Sequence, residues 1–187
     1  MLHLKKAIVC CFVGHHPQDL SFGFDETNPD CIKLKEVLKD QIVNMIETFK
    51  VTNFISGIEL GVEQYAAEMV ITLKAKYPHI TLECAIPSEE QAINWSEPQR
   101  DRYFAIIERC DREVLLQGHY TEDCIKKRNE YMVKQSTYIL AIWNGNTGRT
   151  SEAVAYARSR RKHVIIINPQ TFEARPNIQI LVCRSQK

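Results

Sequence analysis

The chain has 187 residues, 44% hydrophobic and 25% charged, and its 24 Lys and Arg face 23 Asp and Glu for a net charge of +1. That length suits one core-forming domain spanning residues 1–187, and the charge balance gives no global attraction to nucleic acid or to an anionic membrane. The seven cysteines, at positions 10, 11, 31, 84, 110, 124 and 183, form no CxxC pair, so neither a disulfide framework nor a zinc site is expected.

The opening MLHLKK leads directly into an apolar run at residues 7–13. It lacks the pattern of a signal peptide and is far too short for a membrane span, so a soluble, cytoplasmic protein is expected. A continuous apolar run of this kind predicts a strand buried on both faces of a parallel sheet. It ends at GHHP, residues 14–17, and a polar segment at 18–30 with Gly23 and Pro29 predicts a loop. Residues 31–50 then predict an amphipathic helix that buries Leu34, Leu38, Ile42, Met45 and Phe49.

The next stretch, VTNFISGIELGVEQYAA at 51–67, organises the rest. A short strand around Phe54 and Ile55 breaks at Ser56 and Gly57, meets Gly61, and passes into helical spacing through Val62, Ala66, Met69, Val70 and Leu73. Such a glycine turn either exposes helix N-terminal amides to an anion or simply lets strand and helix pack closely. Residues 80–86 predict a third strand, closed by Pro87, and 88–98 a polar linker carrying Trp95. Further on, 99–110 predicts a helix, 113–117 a strand, 122–135 a helix and 137–143 a strand. The turn NGNTGRT at 144–150 precedes a helix with a small-residue face of Ala153, Val154 and Ala157, and 164–167 predicts a sixth strand. Beyond about residue 170 the pattern is ambiguous, with 178–182 able to add an edge strand.

Strands alternating with helices predict an α/β fold: a Rossmann-like, doubly wound, mainly parallel sheet of six or seven strands with helices on both faces. Ligands of such sheets bind beyond the carboxyl ends of the strands. The turns after strands one, two, three and five should therefore open on one rim.

Taken in order, Gly-His-x-Pro, SGxxLGVE, Pro-x-x-x-Gln-x-x-x-Trp, Arg-Asn before YMV, and GxxGxT resemble the YpsA-like family of the SLOG superfamily, over about residues 13–169. That superfamily also holds the Lonely Guy phosphoribohydrolases and the DNA-processing protein A fold. The resemblance implies a rim that binds a nucleotide or nucleotide-derived ligand such as ADP-ribose or NAD; no cofactor is expected to be required, and no metal site is expected. By the same resemblance Gly57 and Gly61 match the glycines of the second turn, and Glu63 falls where aspartate is usual. Gln91 and Trp95 match a Gln and Trp, Arg128 and Asn129 an Arg-Asn pair, and Gly148 and Thr150 the ends of a Gly-Gly-Thr. Gly14, His15 and Ser56 belong to the same turns. The chain departs from the pattern at His16, where arginine is usual, and at Arg149, which replaces a glycine.

Each candidate has a plainer reading. Gly148, Arg149 and Thr150 can offer amides, a guanidinium and a hydroxyl to a phosphate, or Thr150 can simply cap a helix. Arg128 stands beside Lys126 and Lys127, where solvated charge is the ordinary expectation. Trp95 can stack on a base or pack on protein. His15 and His16 are adjacent and point opposite ways on an extended chain, which is poor metal-ligand spacing. Glu63 can meet a ribose hydroxyl or favour a helix dipole, and its i, i+4 partner Glu59 invites an acid–base role.

The leading expectation is a sensor or regulatory module for a nucleotide-derived small molecule, with a homo-oligomer left open. The alternative is an enzyme that cleaves the N-glycosidic bond of a nucleoside phosphate. Lonely Guy relatives place their carboxylate three residues beyond the threonine of GGxGTxxE, which is Ala153 here, with Glu152 one residue early. One helical residue is about 100° of rotation, so Glu152 does not take that place by default. A third reading, single-stranded nucleic-acid binding, gains nothing from the net charge. The basic run at 158–162 closes a helix, where cations complement the dipole.

Overall fold

The computed structural model describes residues 7–175. Seven strands form one sheet in the order β4-β3-β2-β1-β5-β6-β7. They are β1 (Val9–Gly14), β2 (Asn53–Ser56), β3 (Thr81–Ile86), β4 (Arg112–Leu115), β5 (Tyr138–Ile142), β6 (His163–Ile167) and β7 (Ala174–Arg175). Every pairing is parallel except β6 with β7. The suggested strand at 178–182 and Cys183 lie outside the described residues.

Alternation along β1 assigns the two faces of the sheet. Cys10 and Phe12 enter one core with Leu34 and Leu38 of α1 (Pro29–Glu47), Tyr65 and Val70 of α2 (Val62–Leu73), and Ile106 of α3 (Glu97–Ile107). Cys11 and Val13 enter the other, with Met132 and Val133 of α4 (Cys124–Gln135) and Ala153, Val154 and Ala157 of α5 (Arg149–Ser159). Helices therefore cover both faces, as the alternating pattern predicts.

Helix starts differ from the sequence reading where a proline was taken as a loop marker. Pro29 is the first residue of α1, and the Asn28 side chain accepts the Asp30 N–H at 2.9 Å. A proline at that position loses nothing, because its missing N–H would have no helical partner. The same holds for α3, where Pro98 lies in the first turn, Ser96 is the cap, and Gln99 reaches back to the Ser96 N–H at 3.0 Å. The expected loop after β1 also contains a short 3₁₀ turn at Pro17–Asp19.

The chain moves outward from β1 to β4 and then returns to place β5 on the other side of β1. That reversal leaves a crevice beyond Gly14 of β1 and Ile142 of β5, the position where doubly wound sheets take their ligands.

Candidate functional site

A cavity of about 670 Å³ occupies this crevice, within the size range of small-molecule sites. Of the thirteen residues singled out from the sequence, it is lined by Gly14, His15, Glu63, Arg128, Asn129, Gly148, Arg149 and Thr150. Ser56, Gly57, Gly61, Gln91 and Trp95 are not in its wall.

One end is built by the start of α5. Gly148 takes φ +146° and ψ −169°, a conformation essentially restricted to glycine. Among the described residues no acceptor takes the N–H of Arg149, Thr150 or Ser151, and Arg149 makes no ion pair. Thr150 is only 8% exposed, yet its hydroxyl has no hydrogen-bond partner there. Free amides, the positive end of a helix and a guanidinium together suit an anion.

Another part of the wall is built around Arg128, which is 2% exposed. The solvated charge suggested by its lysine neighbours is replaced by burial, because α4 turns this face onto the second turn. Its Nη1 donates to the Gly57 carbonyl at 3.2 Å, and Nε and Nη2 donate to Asn129 Oδ1 at 3.2 and 2.9 Å. Glu63 and Glu59 carboxylates lie 3.6 and 3.7 Å from the guanidinium. Burial raises the proton affinity of Glu63, opposed by Arg128 and reinforced by Glu59. Asn129 is 9% exposed, and its amide NH₂ has no acceptor among the described residues.

The second turn is tied into this arrangement by its own side chains. The Ser56 hydroxyl donates to the Glu63 carbonyl at 2.8 Å and accepts the Ile58 N–H at 3.1 Å. The Glu59 N–H donates to Glu63 Oε2 at 3.3 Å. Gly57 makes room for Arg128, since a Cβ there would stand 2.5 Å from the guanidinium carbon. Gly61 precedes α2 and lies against Pro17. Close packing accounts for both glycines.

Gln91 joins the third turn to the second by donating to the Gly57 carbonyl at 2.9 Å. Trp95 is half-buried and meets Tyr103 edge-on at 5.5 Å. Across the crevice, His15 Nε2 lies 3.0 Å from Asn144 Oδ1 and 3.1 Å from the Asn144 N–H, joining the first and fifth turns.

Sequence reasoning passed over Asp19, Ile125, Asn144, Asn146 and Thr147, which also line the cavity, and placed Glu59 only as a partner of Glu63. The paired asparagines of the NGNTGRT turn were the available signal. Glu152 and Ala153 line a neighbouring groove rather than the cavity, and Ala153 also packs into the core. Among the described residues no cluster of three or more His, Cys, Asp or Glu is arranged to hold a metal ion. No helix there is long and apolar enough to cross a membrane.

A family model described as the YspA SLOG family (YpsA) matches residues 10–171. The chain belongs to this YpsA SLOG family. Among its curated relatives, the uncharacterized SPbeta prophage-derived protein YoqJ of Bacillus subtilis is 32% identical over 143 residues, covering 70% of this chain and 84% of that protein. A UPF0398 protein of Brevibacillus brevis is 39% identical over 146 residues, covering 75% and 73%. The UPF0398 protein YpsA of Bacillus subtilis is 27% identical over 138 residues, covering 73% and 76%. DNA processing protein A of Helicobacter pylori, solved for its single-stranded DNA binding mode, superposes with a TM-score of 0.55. That match has 12% identity and covers 96% of this chain and 73% of the other, so it speaks for a shared SLOG-type fold alone.

Proposed function

We propose that this YpsA-family chain binds a nucleotide-derived small molecule of the ADP-ribose, NAD or nucleoside-phosphate kind, as a sensor or regulatory module. The observation that carries the reading is one cavity whose wall holds two chemically different groups of residues. The start of α5 offers a phosphate amides unclaimed among the described residues, together with the Arg149 guanidinium. The wall around Arg128 offers Glu63, Glu59 and the Asn129 amide, groups suited to ribose hydroxyls. Asp19, Glu59 and Glu63 against Arg128 and Arg149 leave the cavity no excess of positive charge for a long polyanion.

Titration calorimetry with ADP-ribose, AMP and a single-stranded oligonucleotide tests this. Arg149→Ala removes a charge-assisted contact worth about 1.5–3 kcal/mol, so phosphate-bearing ligands should bind roughly 10–100-fold more weakly. Because Arg149 is exposed at a helix start, the variant should keep its melting temperature. Unchanged affinity would put the phosphate elsewhere, and binding of the oligonucleotide alone would replace the small-molecule reading with a nucleic-acid one.

One feature favours hydrolysis of an N-glycosidic bond as a second reading. Glu63 is a buried carboxyl with raised proton affinity, beside a guanidinium and facing the cavity. Such a group can protonate a leaving base. Release of free base from AMP, lost in Glu63→Gln, would establish it, and binding without release would leave the module.

A further inference from the structure

Beside the crevice lies a second hollow of about 390 Å³ between α4 and α5. Ile125, Asn129 and Arg149 line both spaces, so the two meet at that point. We propose that this groove is the base subsite of the ligand site, and that it selects a heteroaromatic base carrying an exocyclic amine. The inference rests on the phosphate reading of the cavity.

Position along α5 is the first argument. Arg149, Glu152, Ala153 and Tyr156 fall at i, i+3, i+4 and i+7, one stripe that runs about 10 Å up from the helix start. A nucleotide whose phosphate sits at the first turn can reach Tyr156 with its base.

The chemistry of the walls is the second. Ile125, Ala153 and the half-buried Tyr156 ring give apolar surface for a flat ring to lie on. The rim carries Glu122, Asp123, Glu130 and Glu152 against Lys126 and Arg149. Asp123 pairs with Lys127 at 3.0 Å and Glu130 with Lys134 at 3.5 Å. Glu122 and Glu152 make no ion pair among the described residues. Two unpaired carboxylates repel a phosphate and accept N–H groups, so the groove discriminates against the charged half of a nucleotide and favours an amine-bearing base.

The third is an open amide donor at the junction. Asn129 is 91% buried by its 9% exposure, its Oδ1 is held by Arg128, and its NH₂ has no acceptor among the described residues. That amide therefore stands open to whatever occupies the two spaces. A ribose oxygen or base acceptor passing between the two spaces would take it.

Calorimetry on the full chain with AMP, IMP and ribose 5-phosphate decides. AMP and IMP differ at the base, where an amine gives way to a carbonyl. AMP should bind about tenfold more tightly than IMP, and Glu122→Ala with Glu152→Ala should erase the difference. Tyr156→Ala should weaken AMP towards the affinity of ribose 5-phosphate while leaving ribose 5-phosphate unchanged, which also reports that the variant is folded. Equal binding of AMP and IMP, or indifference of AMP to these variants while ribose 5-phosphate binds, overturns the groove and spares the cavity. Failure of all three ligands to bind the natural chain overturns both.

Discussion

Replacing Arg128 with alanine is expected to lower stability by about 3–5 kcal/mol, the range for breaking a buried ion pair from one side. For a chain of this size that is a fall in Tm of roughly 6–20 °C. The cost arises from what stays behind. Glu63, 4% exposed, would keep a charge with no counter-ion, and Asn129 Oδ1 would lose both of its donors. Arg128→Lys should recover only part, because one ammonium does not reproduce a planar fork that reaches Gly57 and Asn129 together.

The deficit should depend on pH in a definite direction. Burial raises the folded-state proton affinity of Glu63, and Arg128 works against that rise. A carboxyl raised in this way contributes stability that is fully present below its unfolded pKa, about 4.3. That contribution is lost as pH rises through the folded value. Removing Arg128 raises the folded value further, so the loss grows. Denaturation midpoints of the two chains should converge towards about pH 4 and separate towards neutrality. A gap that stays constant across that range would mean that Glu63 is not the group stranded by the substitution.

Gly57→Ala should be nearly as informative. Its new methyl would lie 2.5 Å from Arg128 Cζ and 2.6 Å from Nε and Nη1, with the guanidinium held by four hydrogen-bond and ion-pair partners. Overpacking of this kind costs about 1–3 kcal/mol. In an Arg128→Ala background the space is vacant and the same methyl should cost little. The double-mutant cycle should therefore show a coupling of about 1–2 kcal/mol. Simple addition of the two losses would show that Gly57 is not there to admit the guanidinium.

These two residues also show which parts of the molecule could be read from the chain. Strands were legible because a parallel sheet buried on both faces needs unbroken apolar runs, as in VCCFVG and YILAI. Helix starts were less so, since Pro29 and Pro98 carry the same letter whether they end a loop or open a helix. The glycine turn before α5 was legible from its own residues, while its reading as a site came mainly from the family resemblance. The burial of Arg128 was not legible, because it depends on α4 lying across the second turn, a contact made 71 residues away along the chain. Gln91 and Trp95 sit on the expected rim but face their neighbours: one donates to Gly57, the other meets Tyr103.

Two tryptophans report separately on these regions. Trp143 follows β5, and its indole N–H donates to the Asn146 carbonyl at 2.7 Å, within the loop that leads into α5 and lines the crevice. Trp95 sits apart from that wall, against Tyr103. Nature has thus supplied a fluorophore wired to the loop and a second one to serve as its internal reference. An emission change produced by a guest at the helix start is expected from the first, and a Trp143→Phe chain should lose it.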